Sequence, residues 1–385
     1  SACMARPEPD APPAGPTPGS DGAPGDRPHG WRNPRVRRAL QAAVSILLVG
    51  GIFWFVLGQF AELSSVWRAM RSLTRVEVAV LLGLAAWNLA AYGIQMVVAT
   101  PGLTFPQSMV LTESTTAVSN ALPAGGAIGV GLTYQILGSW GFSSSRATLA
   151  VLVSGVWNNF VKLGMPVVAL AILAVQGEAG GGRLVAALAG LAGLVAAVVI
   201  FVLILRSEAF VRRLGLFTQG IATRIRRVFR MGPATGWDLA VTTFRGRVLG
   251  YVQRRWVELT LVSVVCHLSL YLVLLASLRF MGVSEPEAGW AEVLAVFSFA
   301  RLVTAIPITP GGVGIVELAL IAGITTAGGE RAEVVAAVLI NRLLTYVVPI
   351  VFGGITYLFW RRNRSWRDSA PPAPDWLTPS LAAIG

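Results

Sequence analysis

Leu122-Pro123-Ala124-Gly125-Gly126-Ala127-Ile128-Gly129 and Ile306-Pro307-Ile308-Thr309-Pro310-Gly311-Gly312-Val313-Gly314 are two versions of one pattern, about 184 residues apart, each set inside apolar sequence of membrane-span length. About 35 residues after each comes an Asn, then Lys or Thr four residues on, then Pro four further: Asn158, Lys162, Pro166 and Asn341, Thr345, Pro349. The chain therefore contains an internal repeat. Gly/Pro breaks in corresponding hydrophobic segments of two halves point to a transporter-like binding site near the bilayer midplane.

Composition agrees. With 54% hydrophobic and 13% charged residues, 385 residues have too little polar side chain to coat a soluble globule, and several apolar runs exceed about 18 residues. The net charge of +12 could suggest nucleic acid, but the basic residues cluster between hydrophobic runs, where the positive-inside rule expects them. No nucleic-acid partner is expected. Cys3 and Cys266 imply no disulfide framework. His29 and His267 imply no metal site, because His267 adjoins Cys266 on a helix and neighbours there point to different faces. No cofactor is expected.

The expected organisation is a disordered cytoplasmic tail (1–34), a first membrane repeat (35–205), a basic amphipathic cytoplasmic connector (206–256), a second membrane repeat (257–360) and a cytoplasmic tail (361–385). The spans read from the apolar runs are Ala39 to Phe60, Val76 to Ala99, Ala147 to Val175, Leu184 to Leu205, Val257 to Phe280 and Val334 to Trp360, each near or above the roughly 20 residues a bilayer requires. Pro106 to Gly138 and Trp290 to Ala327 are each two short apolar arms joined at the Gly/Pro motif. The expected fold is an all-α integral membrane protein with about six transmembrane helices plus two Gly/Pro-tipped re-entrant hairpins in an inverted-topology repeat.

Orientation follows from arginine. The stretch from Arg206 to Arg255 carries eleven arginines, which places it and both termini in the cytoplasm of a plasma-membrane protein. The two halves then start on opposite sides, and the hairpin tips meet near the centre. Backbone at each break loses intrahelical hydrogen bonds that lipid cannot replace, so the tips should line a cavity. New helices starting at Gly126 and Gly312 would offer free N–H groups, with Gly125 and Gly311 beside them, to an anion.

Charge inside the membrane marks the candidate site. All but one of the 31 basic residues are Arg, and the exception is Lys162, roughly 24 Å along the helix from Arg146. A cation at that depth costs at least about 2.5 kcal/mol and faces protein or water. Arg301, before the second tip, and Arg342, beside Asn341, are the second-half cations. Glu113 and Glu317 are the candidate counter-charges, and two carboxylates cannot balance three cations. The surplus points to an anionic ligand such as a lipid phosphate. Helix packing alone would also explain Lys162, and interhelical hydrogen bonding would equally explain Asn158 and Asn341. Asn88 and Gln95 read as such interhelical links.

Pro310-Gly311-Gly312-Val313-Gly314-Ile315-Val316-Glu317 resembles the P-G-G-x-G-x-x-E signature of the lysylphosphatidylglycerol synthase transmembrane family, which includes the flippase half of the bacterial multiple peptide resistance factor. The resemblance covers roughly Arg38 to Trp360. It implies movement of an aminoacylated or otherwise modified phospholipid between leaflets, with Gly311, Gly312, Gly314 and Glu317 as motif positions. In the first half, many members have a P-x-R-x-G-E-like motif, whereas this chain has Pro123-Ala124-Gly125-Gly126-Ala127-Ile128-Gly129, without the Arg or the Glu. With about 25 residues after the last span, the soluble synthase domain of two-part members is not expected.

The function expected is thus a lipid flippase, not an enzyme, passing a phospholipid or other lipid phosphate through a midplane polar cavity. Its partners would be that lipid and the bilayer, with a separate lipid-modifying synthase and a second copy of the chain as candidate protein partners. The alternatives are a membrane-embedded transferase acting on a lipid-linked substrate and an accessory subunit of a lipid-modifying enzyme. A metal-sugar D-x-D site is unavailable in the first half, since no Asp occurs between Asp26 and Asp238. Glu113 and Glu317 would be the transferase's general bases.

Overall fold

A computed structural model describes residues 71, 73–122, 125–176, 181–206, 237–304 and 312–372. The chain divides into units 1–48 and 49–385, and every described residue belongs to the second. The N-terminal tail, the expected span Ala39 to Phe60, the basic segment 207–236, Pro123, Ala124, Pro310, Gly311 and the end of the C-terminal tail lie outside the described residues.

Among the described residues the chain is helical, with no strand. The helices are α1 (Arg75–Ala99), α2 (Phe105–Ala121), α3 (Gly125–Ser139), α4 (Ser144–Val175), α5 (Gly181–Arg206), α6 (Trp237–Phe280), α7 (Trp290–Val303), α8 (Ile315–Ala327) and α9 (Arg331–Arg362), the last containing a π-helical turn at Leu343–Val347. Helices α1, α4, α9 and the Val248–Phe280 part of α6 are long and apolar enough to cross a membrane. The chain is an all-α membrane protein.

Short polar signals start these helices. The Thr74 side chain accepts from the Glu77 N–H, and Glu77 returns the bond to the Thr74 N–H at 2.7 Å. Gln107 accepts from the Thr104 N–H, and Glu292 from that of Gly289. Each satisfies a backbone donor that the first turn leaves open. Two boundaries differ from expectation. Helix α6 starts at Trp237, twenty residues before the expected span, because its polar first turns still favour helix although they lack the hydropathy of a span. In α9 the π turn ends two residues before Pro349. Proline has no N–H for the Thr345 carbonyl four residues back, and the backbone widens there.

The halves interlock. Helix α1 packs against its repeat counterpart, the apolar part of α6. The first hairpin arm α2 packs on α9, the last helix of the second half, and α7 packs on α4. At the α2–α9 crossing, a Cβ on Gly353 would run into the Glu113 carbonyl, so only glycine allows the approach.

Helices α1 and α6 run in opposite directions. The Tyr251 hydroxyl bonds the Val98 carbonyl at one end of the α1–α6 pair, while Leu73, Phe280 and Met281 share a core at the other. Both mouths of the first hairpin lie at the first end, where Gln107 donates to Ser369, Asp368 to the Ser139 carbonyl and Arg146 to the Pro371 carbonyl. Both mouths of the second lie at the opposite end, where Gly328 touches Glu287 and Gly282 touches Glu333. The first end carries Arg254, Arg255, Arg361, Arg362, Arg364 and Arg367 with Glu258 and Asp368; the second carries Glu77, Glu285, Glu287, Glu292, Glu330 and Glu333 with Arg71, Arg75, Arg279 and Arg331.

Candidate functional site

Five helices bring charged or titratable side chains to mid-depth. Lys162 lies eighteen residues into α4 and Arg301 eleven into α7, about 27 and 16 Å from the respective helix starts. Arg301 is within electrostatic reach of Lys162, of His267 on α6 and of Tyr92 on α1. Tyr92 is in turn within reach of Glu113 on α2. Two of the three sequence-selected cations are thus brought together with one of the two carboxylates nearby.

The cluster is poorly satisfied. Lys162 and Arg301 form no ion pair among the described residues. Glu113 Oε2, His267 Nε2 and Arg301 Nε are buried without a hydrogen-bond partner, and so is Asn341 Oδ1 on α9. Glu113 is 2% exposed and His267 is fully buried. Buried polar atoms are nearly always partnered, and each exception calls for an explanation such as a ligand site. Pro166, one turn after Lys162, has no N–H for the Lys162 carbonyl, so that backbone acceptor is spared too.

Arg342 sits apart from this centre, in a second arrangement that ties the tips together. Its Nε lies 2.6 Å from Glu317 Oε1, with the side chains only 10% and 19% exposed. The other carboxylate oxygen accepts from the Gly314 N–H at 2.8 Å, which fixes the first turn after the second tip. The Arg342 guanidinium lies 4.8 Å from the centroid of the Tyr346 ring, a cation–π distance. The Tyr346 hydroxyl donates to the Asn120 carbonyl at the end of α2, 2.8 Å away. One turn of α9 therefore grips both tips. Helix α8 starts at Ile315, not at Gly312, because Gly312 (φ 70°) and Gly314 (φ 84°) turn the chain through left-handed conformations first. The Gly314 N–H that an anion would have used is taken by Glu317. At the first tip, Gly125 gives its N–H to the Leu122 carbonyl and packs on the Val118 and Ser119 backbone, while Gly126 has open space beside it.

Asn158 and Gln95 exchange amide hydrogen bonds, and Gln95 also donates to Ser263 at 2.7 Å. Asn88 donates to Ser269 at 2.6 Å. These bonds fasten α1 to α4 and α6. Sequence reading missed Tyr92, Tyr346 and the inward face of His267. A signal for Tyr92 existed: Asn88, Tyr92 and Gln95 share one face of α1 at helical spacing. Among the described residues no group of three His, Cys, Asp or Glu side chains is placed to hold a metal ion.

An apolar cavity of about 650 Å³ opens between α4, α5, α6 and α7, lined by Trp157, Met165, Leu194, Trp256, Leu268 and Leu294 among others, and Lys162 is not part of its wall. It runs along α6 from Val252 to Leu268.

Residues 42–353 match the family model of the lysylphosphatidylglycerol synthase TM region. The chain belongs to that family. A UPF0104 membrane protein of Methanocaldococcus jannaschii is 37% identical over 64 residues, which is 17% of this chain. The chain spans 27% of that relative's length. Family membership and the long apolar helices together make this a multi-pass membrane protein of a lipid-related family.

Proposed function

We propose that the chain is a flippase that moves a phospholipid or other lipid phosphate between leaflets, with the headgroup crossing the polar centre and the acyl chains in lipid. The observation that carries this reading is the pair Lys162 and Arg301, at mid-depth, without an ion-pair partner among the described residues and beside buried atoms lacking partners. An apolar membrane interior tolerates such a pair where an anion visits it. The apolar cavity between α4, α5, α6 and α7 supports a lipid over a free phosphate ester, since it offers a place for an acyl chain.

The Arg342–Glu317 pair is the gate in this reading. It links the tips when the site is empty, and a headgroup passing between them replaces one of its partners. A cationic headgroup group would meet Glu317 and a phosphate would meet Arg342, with Asn341 beside them. The inverted halves rock to alternate access, and the hairpins are re-entrant. The arginine-rich end is cytoplasmic by the positive-inside rule, which puts the first hairpin on the cytoplasmic side.

Leaflet exchange of fluorescent anionic, zwitterionic and aminoacylated lipids in proteoliposomes tests this. Faster exchange of lipids with an exposed phosphate charge than in protein-free vesicles is the expected result. Equal rates for all lipids, with and without protein, would sink the flippase. Transfer of a labelled headgroup by the purified protein would move the function to a transferase.

A further inference from the structure

The histidine beside the two unpaired cations has one ring nitrogen in use and one idle. His267 Nδ1 lies 3.0 Å from the Ser263 carbonyl oxygen, one turn back on α6. A carbonyl can only accept, so Nδ1 carries the ring proton and Nε2 presents a lone pair. Nε2 is buried without a partner. The charged groups acting on the ring are Arg301 of α7 and Lys162 of α4. Tyr92 of α1, Cys266 of α6 itself and Glu113 of α2 complete the titratable groups of the cluster. Arg and Lys are donors only, so Nε2 is the acceptor among them, and its lone pair would point at any anionic oxygen admitted between the cations.

We propose that His267 binds a proton together with the transported anion, making translocation a proton–anion symport. The inference rests on the lipid-phosphate reading above. When a phosphodiester enters between Lys162 and Arg301, a proton from the aqueous side forms a bond to Nε2, and the imidazolium donates a hydrogen bond to a phosphate oxygen. No other bond is made or broken. One negative and one positive charge enter together, so the loaded site carries the same net charge as the empty one and adds no uncompensated charge to the membrane interior. Release on the far side returns the proton to water with the lipid.

Calorimetry on the full-length chain in detergent tests this, with short-chain phosphatidylglycerol as the probe, because its phosphodiester does not titrate near neutral pH. Binding is measured at one pH in two buffers of different ionisation enthalpy. The expected difference in heat corresponds to about one proton taken up per lipid, with affinity weakening roughly tenfold per pH unit on the alkaline side. In H267Q the two heats coincide and the pH dependence disappears. Wild-type heats that coincide while the lipid still binds would overturn the symport and leave the lipid reading standing. Heats that still differ in H267Q would overturn it and assign the proton to Glu113 or Lys162. No binding by the wild-type chain would overturn the lipid reading with it. If H267Q fails to fold, H267N carries the same comparison.

Discussion

Lys162 and Thr345 hold the same place in the two repeats, one turn after an Asn and one turn before a Pro, yet one carries a charge and the other does not. The second half has its cation three residues earlier, at Arg342, paired with Glu317. The first half leaves Lys162 unpaired among the described residues, facing Arg301 from the other half. The backbone plan is shared, with a Gly/Pro break, a hairpin and a proline-interrupted helix in each half. The chemistry is divided: a satisfied pair holds the tips, and an unsatisfied group of charges fills the centre. A repeat can thus fix the scaffold twice while each copy takes a separate task.

The comparison breaks most severely at the helix crossing on which both halves depend. Gly353→Leu places a side chain against the Glu113 carbonyl, and we expect loss of folded protein in detergent chromatography. The tip pair comes next. Glu317→Ala leaves Arg342 without its carboxylate and should cost about 3 kcal/mol in unfolding experiments. Adding Arg342→Ala should recover part of that loss, because the uncompensated charge goes too. At the centre the sign reverses. Lys162→Met removes an unpaired cation from the membrane interior and should stabilise the fold by about 2 kcal/mol. Both substitutions remove a charge, so opposite signs would separate a structural pair from a functional one, and equal signs would erase the distinction. Tyr346→Phe loses the hydrogen bond to Asn120 and should cost about 1 kcal/mol.

The smallest effect concerns a loop outside the membrane. Ser284 donates its N–H and its hydroxyl to Glu287, which holds that carboxyl below the usual carboxylate range. A lowered folded-state value means the stabilisation is present above about pH 4.3 and is lost as pH falls through the lowered value. The protection of the Ser284 amide against exchange, taken relative to the intrinsic rate at each pH, should fall in acid, and in Glu287→Ala it should be low at all pH.

Much of the scaffold is legible in the sequence because it rests on local quantities. Run length separates α1 and α4 from the short hairpin arms, and the recurring Asn-x-x-x-Lys/Thr-x-x-x-Pro spacing ties α4 to α9. Hydropathy does not see where a helix ends once it leaves the bilayer, which is why α6 reaches back to Trp237. Lys162 stood out as the one lysine in an apolar run, and Glu317 was readable as a partner for a cation. Which cation it meets depends on how α8 and α9 are rotated against each other, and periodicity on one helix carries no such information. Asn158 illustrates the same limit: its spacing from Lys162 puts both on one side of α4, yet its amide is bonded to Gln95 on another helix. His267 looked isolated beside Cys266 because its neighbours, Arg301 and Lys162, come from helices far away in the chain.

The most direct measurement is leaflet exchange of an anionic lipid by Lys162→Met and by Lys162→Arg, with thermal unfolding followed on the same preparations. Exchange should fall to the protein-free rate in Lys162→Met while its unfolding temperature stays level or rises, and Lys162→Arg should retain part of the activity. Exchange at the wild-type rate in a folded Lys162→Met protein would contradict the assignment of the unpaired centre as the lipid path.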